Sequence, residues 1–281
     1  MTHTTLIDTA TLASLLDSPD VAVVDCRFEL ASPGAGEAAF AQSHIPGASY
    51  AHLDRDLSGP TTGTNGRHPL PSPEALVATL GRLGIDGRVQ VVAYDQDTGM
   101  YASRLWWLLR WIGHDAVAVL DGGFARWTAE GRPTTADIAV RPARSFVGRP
   151  DPALTVNATD LPAIAAAPGG RLVDARAPER YRGDLEPIDP VAGHIPGAIN
   201  HFYQQNLSNG GFLEADALRT ALQTSLQITS SGEGVVCYCG SGVTACHNLL
   251  ALEHAGLRGA RLYPGSWSEW VADPSRPVER G

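Results

Sequence analysis

Short runs of β-branched and apolar residues alternate along this chain with stretches in which apolar positions recur at helical spacing. In the first half, the runs VAVVD, VQVVAY and AVAVLDG predict buried strands, and residues 73–83 predict a helix between two of them. In the second half, RLVDA, GVVCYC and ARLYP predict strands in the same order. Because apolar strands alternate with helices, the pattern predicts an α/β fold with parallel sheets flanked by helices and right-handed crossovers.

The same pattern occurs twice. SHIPGASY (43–50) recurs as GHIPGAIN (193–200), and LDGGFARW (120–127) recurs as YPGSWSEW (263–270). Their order and spacing predict a tandem duplication. The copies are separated by a segment rich in Pro, Arg and small residues, which places the boundary near residue 145 and predicts domains 1–145 and 146–281.

Composition and charge exclude several classes of protein. The chain has 281 residues, 43% of them apolar, and a net charge of −9, which argues for packed domains and against a nucleic-acid partner. No apolar run approaches the roughly 20 residues of a membrane span, and the first residues lack a signal-peptide pattern. We therefore expect a cytoplasmic protein with no membrane partner. The chain is rich in Ala and Arg, which is typical of a bacterial protein. The absence of lysine excludes Schiff-base chemistry.

Three of the four cysteines fall within the stretch VVCYCGSGVTACHN (235–248). Cys239 ends a predicted strand, at the edge where parallel sheets bind ligands, and a helix is predicted to begin near Val243. Gly240 and Gly242 permit unusual dihedral angles, so successive backbone N–H groups can turn inward at the helix N-terminus. Such an arrangement stabilises a thiolate or an anion attached to its sulfur. The stretch therefore predicts a cysteine nucleophile within an anion-binding loop.

The other two cysteines of this stretch are expected to be small apolar residues of the core. Cys237 precedes the nucleophile on the strand and Cys246 follows it on the helix, so resolution of an oxidised Cys239 is the alternative role for either. The spacing C-Y-C…C-H differs from that of zinc ligands, and the sequence predicts no metal site.

With its CGSGVT loop, two HIPGA turns and duplicated α/β pattern, the chain resembles the tandem rhodanese-type sulfurtransferases over essentially its whole length. The resemblance implies two tandem rhodanese-like domains and no cofactor. It further implies a persulfide on Cys239, whose sulfur passes to cyanide or to a thiol acceptor, either a thioredoxin-like protein or a small thiol. The first-domain counterpart of Cys239 is Asp95, which cannot carry sulfane sulfur. The first domain is therefore expected to be catalytically silent.

Within this family, the loop is similar to that of the 3-mercaptopyruvate sulfurtransferases. Thiosulfate-preferring members carry two basic residues after the cysteine, where this chain has Gly240 and Ser241. The resemblance pairs Ser241 with His68 and Asp54 as a triad that would protonate the pyruvate leaving group. It assigns Arg180 to the carboxylate of a small anionic sulfur donor. The remaining substrate-binding positions that it implies are Gly240, Gly242, Val243 and Thr244.

One departure from the family leaves the donor open between 3-mercaptopyruvate and thiosulfate. Asp189 stands where the second substrate-binding arginine is expected, and Arg182 and Arg104 are candidates to compensate. Tyr101 and Trp267 are either cleft-lining or core aromatic residues.

The sequence bears on two other classes of function, a phosphatase and a sulfur carrier. A phosphatase of related fold needs Cys-x5-Arg, and Ala245 at the sixth position excludes it. A sulfur carrier that receives persulfide from a protein donor remains an alternative. His44 and His194, at the two HIPGA turns, are expected to hold local structure.

Overall fold

The computed structural model describes residues 2–281, which form two compact units. The first contains the chain as far as Gly59, Pro71–Asp151 and Asn209–Gly211. The second contains Pro60–Leu70, Pro152–Ser208 and Phe212–Gly281. The main division falls after Asp151, whose N–H donates to the Trp111 carbonyl of the first unit at 2.8 Å. The domain boundary near residue 145 stays a prediction.

The first unit contains six helices and a parallel sheet of five strands. Its strands are β1 (Leu6–Ile7), β2 (Val21–Asp25), β3 (Ser49–Tyr50), β4 (Gln90–Tyr94) and β5 (Val117–Leu120), in the spatial order β1-β5-β4-β2-β3. Its helices are α1 (Thr9–Leu15), α2 (Ala35–Gln42), α3 (Leu53–Asp56), α4 (Pro73–Arg82), α5 (Ala102–Trp111) and α6 (Gly123–Ala129). All four strand pairings are parallel. The predicted strands and the predicted helix after residue 73 are therefore confirmed.

The second unit repeats this plan with a parallel sheet of four strands. The remaining strands are β6 (Arg171–Asp174), β7 (Ala198–Asn200), β8 (Leu207–Ser208), β9 (Gly211–Phe212), β10 (Val235–Tyr238) and β11 (Arg261–Leu262), and the sheet order is β11-β10-β6-β7. The helices are α7 (Leu161–Ala166), α8 (Pro178–Arg182), α9 (Ala215–Leu226), α10 (Thr244–His254) and α11 (Ser266–Trp270), with short 3₁₀ turns at Pro152–Leu154, Ala158–Asp160 and Tyr203–Asn206. The parallel pairing of β10 with both β6 and β11 places β10 inside the sheet.

Both cores are built from the apolar runs that predicted the strands. Every residue of β2 and of β10 is buried, because each strand is covered on both faces. Tyr238 and Trp267 belong to the core of the second unit, each with at most a trace of exposed surface. Of the two roles considered for Trp267, lining a cleft or packing in the core, the structure therefore shows the second.

The two HIPGA histidines hold local structure, as expected. His44 Nδ1 lies 2.7 Å from the Phe40 carbonyl oxygen and its ring stacks on Phe40. His194 Nδ1 lies 2.8 Å from the Tyr181 carbonyl oxygen and stacks on Tyr181 in the same way. The duplication thus extends to individual side-chain contacts.

Candidate active site

Cys239 follows directly on β10, at the carboxyl end of the sheet, and only 2% of its surface is exposed. Its Sγ atom accepts the backbone N–H of Gly242 at 3.1 Å and lies 3.5 Å from the N–H of Ser241. Helix α10 begins at Thr244, immediately after this loop. The two N–H groups therefore point at the sulfur and stabilise negative charge on it, as the sequence predicted.

The backbone of the cysteine loop, residues 239–243, is anchored to α11. The carbonyl oxygens of Cys239 and Gly240 accept the N–H groups of Trp267 and Ser268, both at 2.9 Å. The Cys239 N–H donates to Ser266 Oγ at 3.1 Å. Ser266 itself has φ +54°, a left-handed conformation that costs a residue with a side chain about 1 kcal/mol or more. These contacts fix the sulfur at the edge of the sheet.

The two glycines of the loop serve different purposes, which corrects one prediction. Gly242 has φ +78°, and a Cβ atom there would lie 2.4 Å from the Pro264 carbonyl oxygen. Gly240 lies outside the left-handed region, so it does not supply an unusual dihedral angle. A Cβ at Gly240 would instead lie 2.7 Å from Arg67 Nη2. Gly240 is therefore needed for space, since its missing side chain leaves room for an arginine.

The other two predicted loop residues begin α10. Val243 is the residue that precedes the helix and is buried, and Thr244 is its first residue. Their predicted part in substrate binding stays a prediction.

Ser241 and His68 lie together in the second unit, because the segment Pro60–Leu70 belongs to it. His68 Nδ1 lies 2.7 Å from Ser241 Oγ, and both side chains are buried. A hydrogen bond of this length permits proton transfer between ring and hydroxyl. Asp54 lies in α3 of the first unit, where its N–H donates to His52 Nδ1 at 3.1 Å. Its predicted place as third member of the triad stays a prediction.

Arg180 occurs on α8 and is engaged by two carboxylates. Its Nε and Nη2 atoms donate to Glu186 at 3.1 and 2.7 Å, and Nη2 also donates to Asp189 Oδ2 at 3.1 Å. Asp189 therefore points towards this arginine, and it is 8% exposed. Burial raises the pKa of the Asp189 carboxyl group, although the neighbouring arginines act in the opposite direction.

Arg67 is the site residue that the sequence analysis missed. Its Nη1 atom pairs with Asp189 Oδ1, and its backbone N–H donates to Ser268 Oγ at 3.1 Å. Its Nη2 atom approaches Gly240, and its Nε atom is buried without a hydrogen-bond partner among residues 2–281. The available signal was its position directly before His68 in GRHPL.

The two arginines named as candidates to compensate have other partners, and their part in donor binding stays a prediction. Arg182 is half exposed and pairs with Asp184 at 2.8 Å. Arg104 belongs to α5 of the first unit, where its Nε atom donates to the Leu57 carbonyl at 3.3 Å. Tyr101 also lies in the first unit. Arg67 approaches the cysteine loop, since its Nη2 atom lies 2.7 Å from where a Cβ atom of Gly240 would be.

Cys237 and Cys246 are fully buried. The Cys246 thiol donates to the Gly242 carbonyl oxygen at 3.3 Å, and burial raises the pKa of the Cys237 thiol well above its usual range. Both observations fit small residues of the core.

A cleft of about 490 Å³ opens beside this cluster within the second unit. Its walls include Arg67, His68 and Asp189, together with apolar side chains such as Ile188 and Val271. This volume can hold a small molecule. Among residues 2–281, no group of three or more His, Cys, Asp or Glu side chains could hold a metal ion. No helix in the same range is long and apolar enough to cross a membrane.

Comparison with protein families finds one domain model twice in the chain. The model for the rhodanese-like domain matches residues 8–130 and 157–273. The two matches correspond to the two copies of the repeated pattern.

Comparison with individual proteins finds similarity over nearly the full length. The chain is 48% identical over 285 aligned positions to a probable 3-mercaptopyruvate sulfurtransferase of Pseudomonas aeruginosa, with 100% of both chains covered. It is 42% identical to a protein of Mycobacterium tuberculosis named provisionally as a thiosulfate sulfurtransferase, covering 98% of this chain and 97% of that protein. Among solved structures, 3-mercaptopyruvate sulfurtransferase from Leishmania major superposes with a TM-score of 0.82 at 29% identity, covering 95% of this chain and 74% of that one.

Proposed function

Because this chain belongs to the rhodanese-like domain family, with two copies of the domain, we propose that it is a sulfurtransferase acting through a persulfide on Cys239. The donor is 3-mercaptopyruvate, and the acceptor is cyanide or a thiol. The observation that carries this proposal is the Cys239 sulfur held by two backbone N–H groups, with Ser241 of the same loop hydrogen-bonded to His68. The similarity to proteins named as 3-mercaptopyruvate sulfurtransferases supports the choice of donor.

The donor's carboxylate binds to the two guanidinium groups beside Gly240. A Cβ atom placed on Gly240 would lie 2.7 Å from the Arg67 Nη2 atom and 3.6 Å from the Arg180 Nη2 atom, so both arginines reach the space over the cysteine loop. A planar guanidinium group suits a carboxylate, and the buried Arg67 Nε lacks an acceptor among residues 2–281. Binding there would bring the donor's sulfur towards Cys239.

The first half-reaction transfers one sulfur atom. The Cys239 thiolate attacks the donor's sulfur, the sulfur–carbon bond breaks, and its electron pair passes to the pyruvate enolate. Ser241, hydrogen-bonded to His68 at 2.7 Å, is placed to deliver the proton that converts the enolate to pyruvate. The N–H groups of Ser241 and Gly242 then stabilise the persulfide anion on Cys239.

The second half-reaction regenerates the thiolate. The acceptor attacks the outer sulfur of the persulfide, the sulfur–sulfur bond breaks, and its electron pair returns to Cys239. The products are thiocyanate from cyanide or a persulfide from a thiol. Asp95 cannot form a persulfide, so this chemistry belongs to the second unit and the first is silent. We expect the protein to act in the cytoplasm.

Thiosulfate is the second candidate donor. One relative carries a thiosulfate sulfurtransferase name, and the pair Arg67 and Arg180 offers positive charge to this anion as well. A carrier that accepts sulfur only from another protein is the third candidate.

Thiocyanate formation from cyanide tests the proposal. The wild type is expected to turn over 3-mercaptopyruvate faster than thiosulfate, and Cys239→Ser is expected to form no thiocyanate from either. Turnover by Cys239→Ser would overturn the assignment of the nucleophile. A wild type that forms a Cys239 persulfide only with a protein donor would establish the carrier instead.

A further inference from the structure

Asp189 bridges the two arginines that face the cysteine loop. Its Oδ1 atom pairs with Arg67 Nη1, and its Oδ2 atom accepts Arg180 Nη2 at 3.1 Å. The carboxylate is almost completely buried, at 2% exposed side-chain surface, so water screens its charge poorly. An internal anion therefore stands beside the position that an anionic donor must occupy.

The charges of this cluster balance when no donor is bound. Three arginines and three carboxylates are linked by ion pairs: Arg67, Arg176, Arg180, Asp174, Glu186 and Asp189. A monoanion adds one uncompensated charge to this group, whereas a dianion adds two. Because the energy between charges grows with their product, Asp189 repels a dianion about twice as strongly as a monoanion.

Arg67 has unused donors that can bind one carboxylate. Arg67 Nε is buried and has no acceptor within residues 2–281, and Arg67 Nη2 faces Gly240. These two atoms lie on one edge of the guanidinium group, which fits a carboxylate with two parallel hydrogen bonds. Asp189 holds the other edge, so a donor binds next to it.

We propose that Asp189 is the residue that sets donor specificity, since its fixed negative charge beside Arg67 and Arg180 selects monoanionic donors over dianionic ones. At neutral pH, 3-mercaptopyruvate with a protonated thiol carries one charge and thiosulfate carries two. This inference rests on the proposed function, because it concerns the donor site of that reaction. It explains how a site with two arginines still prefers the singly charged donor.

The test is Asp189→Asn, with Asp184→Asn as the matched control. Asp184 lies on the same segment, loses the same charge, and is exposed in an ion pair with Arg182. For Asp189→Asn we expect the ratio of kcat/KM for thiosulfate to that for 3-mercaptopyruvate to rise on the order of tenfold. The control should leave the ratio within about twofold of wild type.

The ratio separates specificity from structural damage. Damage to the site would lower both kcat/KM values together and leave the ratio unchanged, and that result overturns the proposal. If the wild type transfers sulfur from neither donor, the proposed function itself fails, which is a different outcome.

A measurement on the wild type needs no turnover. Methanesulfonate and sulfate are oxyanions of similar size that carry one and two charges, and their binding can be compared by calorimetry. Binding of methanesulfonate at least as tight as that of sulfate supports the role of Asp189. Tighter binding of sulfate, or binding of neither anion, overturns it even if Asp189→Asn fails to fold.

Discussion

The loops that follow β4 and β10 both direct backbone N–H groups at the first residue after the strand, but that residue differs. After β10, two N–H groups point at the Cys239 sulfur. After β4, the Asp95 carboxylate accepts four backbone N–H groups at 2.7–3.2 Å, from Asp97, Gly99, Tyr101 and Ala102. The first unit has therefore kept an anion-binding loop but fills it with its own carboxylate.

The anchoring contacts of the two loops also correspond. The Asp95 carbonyl accepts the Phe124 N–H at 2.9 Å, as the Cys239 carbonyl accepts that of Trp267. Gly123 has φ +56° where Ser266 has φ +54°. The anchoring contacts therefore correspond, although α5 begins seven residues after Asp95 and α10 begins five residues after Cys239. In the second unit, Ser241 of the loop contacts His68, and Arg67 and Arg180 approach Gly240.

Replacement of Cys239 by aspartate, the residue found at the corresponding position of the first unit, should have the largest effect on activity. Cys239→Asp is expected to abolish thiocyanate formation while the protein stays folded, because the first unit already accommodates a carboxylate at this position. Activity and thermal unfolding would be measured together. Unfolding of Cys239→Asp would show that the two loops differ by more than this side chain.

The reverse change is the matched control for that comparison. Asp95→Cys should not gain a persulfide, since the neighbouring Asp97 repels an anionic donor and the carboxylate's hydrogen bonds are lost. A thiol-reactive probe would be used to look for a persulfide on the introduced thiol. A persulfide detected at this position would show that the first unit lacks only the thiol, which contradicts this prediction.

Loss of the serine hydroxyl should have an intermediate effect. Ser241→Ala is expected to lower kcat for 3-mercaptopyruvate on the order of a hundredfold, because the enolate loses its proton donor. Thiosulfate turnover should fall less, since sulfite leaves as a stable anion. The exposed Ser275→Ala serves as control. Equal losses with both donors would remove Ser241 from proton transfer.

The smallest effect is expected at Ser266. Ser266→Ala removes the acceptor of the Cys239 N–H and should lower the free energy of unfolding by about 1 kcal/mol. Chemical denaturation would measure this change. In the first unit, Gly123→Ala should destabilise more, because a Cβ there would lie 2.7 Å from the Asp95 carbonyl oxygen. The opposite order would break the correspondence between these two positions.

Periodicity and internal repetition were sufficient to predict the strands, the parallel sheets and the position of Cys239, because those features depend on short stretches of chain. The inward-pointing N–H groups were predictable for the same reason. The resemblance to a known family added the pairing of Ser241 with His68, which are far apart in the sequence. No local pattern could have supplied that pairing.

The arginine cluster was harder to predict, since it depends on where side chains from distant segments meet. Asp189 was recognised as a departure, but its direction and its pairing with Arg67 follow from the folded chain. The candidates to compensate for Asp189 were Arg182, which is close to it in sequence, and Arg104. Arg67 instead comes from the segment that connects α3 and α4 of the first unit.

The segment between α3 and α4 determines whether the two halves of the chain can be separated into independent fragments. Pro60–Leu70 is covalently part of the first half of the chain, yet it packs as part of the second unit and supplies both His68 and Arg67. A fragment starting at Pro152 would retain the thiol and its loop while lacking an acid–base partner and a guanidinium group. The first half of the chain therefore cannot be deleted without removing two side chains that pack at the candidate site of the second unit.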